Sequence, residues 1–327
     1  MKVSPTATRT PTAAQPPEPT DILVKAEALR KVYPGGHVAV DGVDFALRRG
    51  EAFGILGPNG AGKSSTMRMI GCVSTPSGGT LNVLGLDAIT QGERIRARLG
   101  SVPQDDALDT ELTVLENLLV YGHYFGLRRA VVRERAQRLL EFARLTDRAD
   151  KPVQTLSGGM RRRLTIARAL INEPEIVLLD EPTTGLDPQA RHQLWERLYE
   201  LKASGVTLVL TTHYMDEAEQ LCDRLVVMDA GRFVAEGTPR ELIEAHVTRE
   251  VLELRFPPGE QQAAAEKLAS AAQRIEPLAD RLLLYCDDGE TALAAAHALQ
   301  LTPVTALVRR AGLEDVFLTL TGRSLID

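Results

Sequence analysis

Cysteine is scarce in this chain. Cys72, Cys222 and Cys286 are the only three in 327 residues, and they stand far apart with no CxxC spacing. That argues against a disulfide framework or a cysteine-built zinc site and fits a reducing compartment. No apolar run approaches the roughly 20 residues that a membrane-crossing helix needs. The N-terminal stretch MKVSPTATRTPTAAQPPEPT has no apolar core, so no secretory signal is expected there. Its proline and threonine content predicts a disordered tail over residues 1–20. A basic excess is missing too. Lys and Arg number 38 against 44 Asp and Glu, a net charge of −6, which disfavours a nucleic-acid partner.

What is present is an ordinary globular composition, 44% apolar, in a chain long enough for two domains. ILVKAEALRKVY and VAVDGVDFALRRGE alternate apolar and polar residues and predict antiparallel strands. After AFGILG, strand-like apolar runs (EIVLLDEP, VTLVLTTH) alternate with helical stretches, which predicts an α/β layer around a parallel sheet. The stretch from Thr110 to Leu170 reads as helical, with caps at Thr113 and Thr146. RLVVMDAGRFVAEG predicts a hairpin turned at Asp229-Ala230-Gly231. Near Val247 the texture changes, and the remainder predicts a small β-α-β-β-α-β unit. The expected division is a tail (1–20), a main domain (21–247) with a helical subdomain at about 105–157, and a C-terminal α+β domain (248–327).

Two stretches carry chemistry. GPNGAGKSS, Gly57-Pro58-Asn59-Gly60-Ala61-Gly62-Lys63-Ser64-Ser65, follows a strand and opens a helix. Its glycines let backbone N–H groups wrap a polyphosphate, Lys63 reaches the terminal phosphates, and Ser64 ligates Mg²⁺. In IVLLDEP a buried strand delivers Asp180 to the sheet edge where ligands bind, suited to hold Mg²⁺, with Glu181 next to it as the candidate to deprotonate a water. A third stretch is puzzling at first. Ser157-Gly158-Gly159 in TLSGGMRRRL also reads as a helix start able to hold an anion, a second cradle where one nucleotide site needs only one.

GPNGAGKSST, LSGGMRRRL, VLLDEPTTGLDP and LTTHYMDEAE, in this order, resemble the nucleotide-binding subunit of an ATP-binding cassette (ABC) transporter over about Ile22 to Ala245. The resemblance implies a P-loop NTPase (ABC ATPase) fold with an antiparallel β subdomain and a helical subdomain, plus the small C-terminal α+β domain. It implies ATP as the nucleotide and Mg²⁺ as its ion. Tyr33 is similar to the aromatic that stacks on adenine, Gln104 to the glutamine that meets Mg²⁺ and the attacking water, and His213 to the histidine that contacts the γ-phosphate. Leu186 and Asp187 are similar to the loop that couples the two sites of a dimer. In this family two subunits pack head to tail, so Ser157, Gly158 and Gly159 cover the phosphate bound by the partner. That accounts for the second cradle.

ENLLVYGHYFGL, PTTGLDPQARHQLWERL and RRAGLEDVFLTLTGRSL narrow the resemblance to ABC-2 type exporters of drugs and lipid-linked oligosaccharides, nodulation-factor exporters above all. Ala311-Gly312 stand where that branch usually has a proline after its arginine pair. The branch implies a separate integral-membrane permease, NodJ-like, at the cytoplasmic face of the inner membrane, and ATP hydrolysis coupled to export. An importer motor, or a cassette ATPase acting on ribosomes or DNA, remains as an alternative. Three further features invite functional readings. Arg161 to Arg163 read as a solvated or interface face, Trp195 and Tyr199 as core packing, and His123 and Tyr124 as either permease-facing or buried.

Overall fold

The computed structural model describes residues 21–257 and 259–322. The expected tail at residues 1–20 and the last residues of RRAGLEDVFLTLTGRSL lie outside them. In chain order, β1 (Ile22–Val32) and β2 (Val38–Arg48) pair antiparallel, and β3 (Ala52–Leu56) runs into α1 (Lys63–Ile70). Next come β4 (Gly78–Val83), β5 (Leu86–Asp87), α2 (Gly92–Arg96) and β6 (Leu99–Val102). The helical stretch is α3 (Val114–Tyr124), α4 (Arg129–Phe142) and α5 (Gly158–Ala169). The alternating part resumes with β7 (Ile176–Asp180), α6 (Pro188–Ala203), β8 (Thr207–Thr212), α7 (Met215–Leu221), β9 (Arg224–Asp229), β10 (Arg232–Gly237) and α8 (Pro239–His246). The C-terminal portion is β11 (Glu250–Arg255), α9 (Gln261–Lys267), β12 (Arg274–Pro277), β13 (Leu282–Cys286), α10 (Gly289–Ala298), β14 (Thr305–Arg310) and α11 (Leu313–Thr321).

Among the described residues three sheets result, ordered β2-β1-β4-β5, β10-β9-β3-β8-β7-β6 and β12-β13-β11-β14. The six-stranded sheet is parallel apart from its edge strand β10, which pairs antiparallel with β9 in the expected hairpin. Its strands are apolar on both faces because both faces are covered. Phe53 and Ile55 of β3, Ile176 and Leu178 of β7, and Val226 and Met228 of β9 enter the core shared with the first sheet and α1. Their neighbours Ala52, Leu56, Val177, Leu179, Leu225 and Val227 enter the opposite core, under α5, α6 and α7. Parallel pairing of β3 and β7 with β8, in register at Leu56 with Thr212 and at Asp180 with Thr211, places the C-terminal ends of the three strands side by side.

The helical stretch has its own core around Leu118, Val132, Leu140, Leu164 and Ile171. Thr113 caps α3 in a reciprocal capping box with Glu116. Thr146 caps no helix, contrary to expectation. It opens a short 3-10 turn, because the chain reverses just before it, at Arg144, with φ of +53°. The C-terminal elements follow the expected β-α-β-β-α-β order, and α11 comes after them. Leu313, Val316 and Phe317 of α11 join the core of the six-stranded sheet. Leu318, on its other side, packs with Val251, Leu283 and Tyr285 of the third sheet. Glu219 of α7 accepts a 2.7 Å hydrogen bond from the Leu313 N–H, meeting an otherwise unpaired donor at the start of α11.

Phe317 is fully buried in that shared core. Phe317→Ala is expected to cost about 3–5 kcal/mol. Urea unfolding of the full chain checks this; a midpoint equal to that of the parent chain would mean that α11 does not share the core.

Candidate functional site

The loop Gly57 to Gly62 joins β3 to α1, and its shape is set by close backbone approaches. A Cβ on Gly57 would lie 2.2 Å from the Met228 carbonyl oxygen, and one on Gly62 would lie 2.2 Å from that of Ala39. Gly62 also sits at φ +111°, a conformation that side chains rarely adopt. The loop is pinned by Ala61 N–H donating to Pro58 O (3.2 Å) and Gly231 N–H donating to Ala61 O (2.9 Å). Lys63 curls back over it, donating from Nζ to the carbonyls of Gly57 (2.8 Å) and Pro58 (3.0 Å). Burial holds its ammonium below the ordinary lysine value, against the opposing pull of Glu181. A cavity of about 280 Å³ opens here, lined by Tyr33, Asn59, Gly60, Lys63, Ser64 and Gln104 among others. The Tyr33 hydroxyl lies 3.2 Å from Ser65 Oγ.

On the other side of the cavity, β7 and β8 end together. Ser64 Oγ donates to Asp180 Oδ1 at 3.1 Å, and Thr211 Oγ1 donates to the same oxygen. Glu181 follows at φ +45°, a backbone state costing about 1–3 kcal/mol for a non-glycine residue. It is held there by its N–H, which donates to both the carbonyl and the hydroxyl of Thr211 at 3.1 Å. The Glu181 carboxylate, 6% exposed, is where the site converges. Oε1 lies 3.5 Å from Lys63 Nζ and 3.3 Å from His213 Nδ1. Oε2 accepts from Gln104 Nε2 and from Thr184 Oγ1, each at 3.2 Å. The approach of His213 is close but not aligned as a hydrogen bond, so Nδ1 is a buried polar atom left without a partner.

The donor set fits a magnesium nucleotide. The glycine cradle leaves room against the backbone for phosphate, and the Ser64 hydroxyl, Asp180 carboxylate and Gln104 amide supply the oxygen ligands that Mg²⁺ takes. The Lys63 ammonium and the unpaired His213 nitrogen supply donors for an anion.

Ser157, Gly158, Gly159 and Asp187 are not at this cavity. They line a separate hollow of about 200 Å³ with Ala190 and Gln193, apart from Gly158, which has open space where a Cβ would stand. Ser157 caps α5, its Oγ accepting from Met160 N–H. Asp187 caps α6, accepting from Ala190 N–H at 2.9 Å. A Cβ on Gly159 would touch Ala190 Cβ at 2.9 Å, so the two helix starts abut.

Arg162 corrects the reading of the arginine run as a solvated face. It is 4% exposed, and its guanidinium donates to the carbonyls of Pro103 (2.6 Å), Gln104 (3.3 Å), Asp180 (3.0 Å), Glu181 (3.2 Å) and Pro182 (2.7 Å). The signal was in the helical period, since Thr165, Ile166 and Ala169 lie three, four and seven residues on and are buried on the same face. Arg161 keeps partial exposure and pairs with Asp106. Arg163 donates to Ala143 O at 2.7 Å. Trp195 is buried as expected, whereas Tyr199 is 43% exposed and reaches the Gln220 carbonyl through its hydroxyl. Tyr124 is exposed rather than buried. Sequence reasoning also missed Glu217, fully buried on α7, which accepts from Trp195 Nε1 at 3.4 Å. Burial pushes its carboxyl above the usual carboxylate range.

Residues 40–184 match the family described as ABC transporter, and residues 261–322 match the family described as "Nodulation factor export protein NodI, C-terminal domain". The Nod factor export ATP-binding protein I of Ralstonia nicotianae is 49% identical, over 96% of this chain and 99% of its own length. The protein of that name from Cupriavidus metallidurans is also 49% identical, over 93% and 99%. Among solved structures, CbiO1 of Clostridium perfringens, part of the ABC transporter complex CbiONQ, aligns with a TM-score of 0.64 at 31% identity, covering 68% of this chain and 91% of its own. A dimeric post-hydrolysis state of the ATP-binding cassette MJ0796, bound to ADP and Pi, gives 0.61 at 30%, covering 66% and 98%.

Lys63→Ala is expected to weaken ATP binding by roughly 10- to 100-fold, the effect of losing a charge-assisted contact. Titration with a fluorescent ATP analogue measures it, and an unchanged affinity would remove Lys63 from the phosphate site.

Proposed function

The chain belongs to the ABC transporter family, as an ATP-hydrolysing nucleotide-binding subunit, and on that premise we propose that it is the motor of an exporter that works through a separate membrane permease. One observation carries the mechanism, the convergence of Lys63, Gln104 and His213 on the buried carboxylate of Glu181 beside the phosphate loop.

The loop Gly57 to Ser65 holds the phosphates of ATP through its backbone N–H groups, and Lys63 leaves the loop carbonyls to reach the β- and γ-phosphates. Tyr33 stacks on the adenine. Ser64, Asp180 and Gln104 would hold Mg²⁺, which would supply charge neutralisation at the phosphoryl group. Glu181 takes a proton from water as the water oxygen bonds to the γ-phosphorus, and the bond to the bridging oxygen of ADP breaks. Gln104 orients that water, and His213 donates to the γ-phosphate as charge moves onto it.

Ser157, Gly158, Gly159 and Asp187 serve a second nucleotide, held by the partner in a head-to-tail homodimer. Their separate hollow and the open space beside Gly158 support this, as does the dimeric state of the similar cassette. A cradle shared between subunits closes only over an intact γ-phosphate, so hydrolysis loosens it and yields a rigid-body motion.

Residues 21–247 form the nucleotide-binding domain, with its helical subdomain at about 105–157, and residues 248–327 form an accessory domain. A cleft of about 390 Å³ beside α3, lined by Asp109, Leu112, Val120 and Tyr124 among others, receives a NodJ-like permease at the cytoplasmic face of the inner membrane. Val120 and Tyr124 are exposed there. Among the described residues no helix is long and apolar enough to cross a membrane. The cargo proposed is a lipo-chitooligosaccharide of the nodulation-factor type or a related lipid, oligosaccharide or drug, a reading that the relatives' name supports.

Glu181→Gln is expected to bind ATP normally, lose about 10²- to 10⁴-fold in turnover and accumulate an ATP-bound dimer on light scattering. Normal turnover in that variant would remove Glu181 as the base. Gly158→Asp is expected to abolish hydrolysis while leaving nucleotide affinity of the single chain intact, because the new side chain points into open space. Equal loss of binding and turnover would overturn the shared-site reading. Recovery from membranes together with a polytopic subunit is the expected result for the complex, and recovery with ribosomes alone would exclude the exporter.

A further inference from the structure

Arg162 sits on the helix that starts at Ser157, and its side chain donates hydrogen bonds to both segments that converge on the buried carboxylate. One guanidinium reaches Pro103 and Gln104 on one side and Asp180, Glu181 and Pro182 on the other. It stands one helical turn beyond Gly158 and Gly159, on α5. The helix is continuous over that distance, with Arg161 N–H donating to Ser157 O at 2.9 Å and Thr165 Oγ1 to Arg161 O at 3.0 Å. A small displacement of the helix start is therefore carried to the guanidinium, and from there to the backbone that sets the Gln104 and Glu181 side chains. Arg162 is buried, and its partners are backbone carbonyls rather than mobile side chains. Its planar fork of five N–H donors suits this role, where the point charge of a lysine cannot span both segments.

We propose that Arg162 is a positioning residue that couples the two nucleotide sites of the dimer: engagement of Ser157 to Gly159 with the partner's nucleotide is transmitted through Arg162 to Gln104 and Glu181 of the same chain. The inference rests on the head-to-tail dimer proposed above. It makes each subunit's hydrolytic carboxylate responsive to occupancy of the other subunit's cradle. Arg162 touches neither nucleotide itself.

The test compares the full-length parent chain with Arg162→Lys, Arg162→Gln and Leu198→Ala. Leu198 is buried in the core that also takes Ile166 and Ala169 of α5, is not among the residues lining the phosphate-loop cavity, and serves as a control for lost stability. Specific ATPase activity is measured against chain concentration, nucleotide affinity with a fluorescent ATP analogue, and ATP-driven dimerisation by light scattering with Glu181→Gln added. For the Arg162 variants the expected result is affinity within twofold of the parent, dimerisation retained, turnover reduced at least tenfold, and specific activity that no longer rises with concentration. Leu198→Ala is expected to keep the concentration dependence even where its melting temperature falls as far. The proposal is overturned if Arg162→Lys or Arg162→Gln keeps the parent's concentration dependence, if affinity falls in step with turnover, or if Leu198→Ala loses the dependence equally. If the parent's own specific activity is independent of concentration, the dimer reading fails instead.

Discussion

A carboxylate placed out of water has to be surrounded by donors, and much of this molecule follows from meeting that need for Glu181. An uncompensated buried charge costs several kcal/mol. Lys63, Gln104, Thr184 and His213 all approach it. They come from a glycine loop, a strand edge, a turn and the end of β8, which are far apart in the chain. Only a parallel sheet with these strand ends aligned delivers all of them to one point. The left-handed backbone at Glu181 is tolerated because the Thr211 carbonyl and hydroxyl both fix its N–H.

The same accounting applies one layer back. The segments that carry Gln104 and Glu181 leave the sheet after Val102 and Asp180, just where their side chains are needed, and of their carbonyls Glu181 O takes one bond from the Thr184 N–H at 3.3 Å. A buried carbonyl without a donor costs about 1–3 kcal/mol. Arg162 supplies donors to five of them at once. Burial draws its guanidinium below the ordinary value, and the carboxylates of Asp106 and Glu217 oppose this. Placing that donor on α5 makes the polar interior of the site continuous with the helix that begins at Ser157.

The C-terminal portion is joined to the catalytic sheet rather than appended to it. Through Phe317 and Val316, α11 completes the core beneath α6 and α7, and Glu219 fixes its first turn. Because α7 follows directly after His213, the C-terminal portion and the histidine segment share a rigid element. Burial of Trp195 and Glu217 ties α6 to α7 in the same layer.

The strands, the glycine loop between β3 and α1, the cap at Thr113 and the hairpin at Asp229 to Gly231 were legible in the sequence. Each depends on local physics, whether side-chain period, glycine conformation or a cap four residues long. The placement of Asp180 and Glu181 at the end of β7 was legible for a related reason, since a buried strand has to end where its backbone leaves the sheet. Thr146 was misread because a chain reversal at Arg144 outweighs the preference of one threonine. Arg162 and Glu217 were not legible as buried groups. Composition places charged residues at the surface, and whether one faces inward is set by the phase of its helix against the sheet and by carbonyls distant in the chain. The sequence by itself determined the elements and the chemistry on offer. The tertiary structure alone decided which oxygens face which donors, because hydrogen bonds act over about 3 Å between residues that only folding brings together.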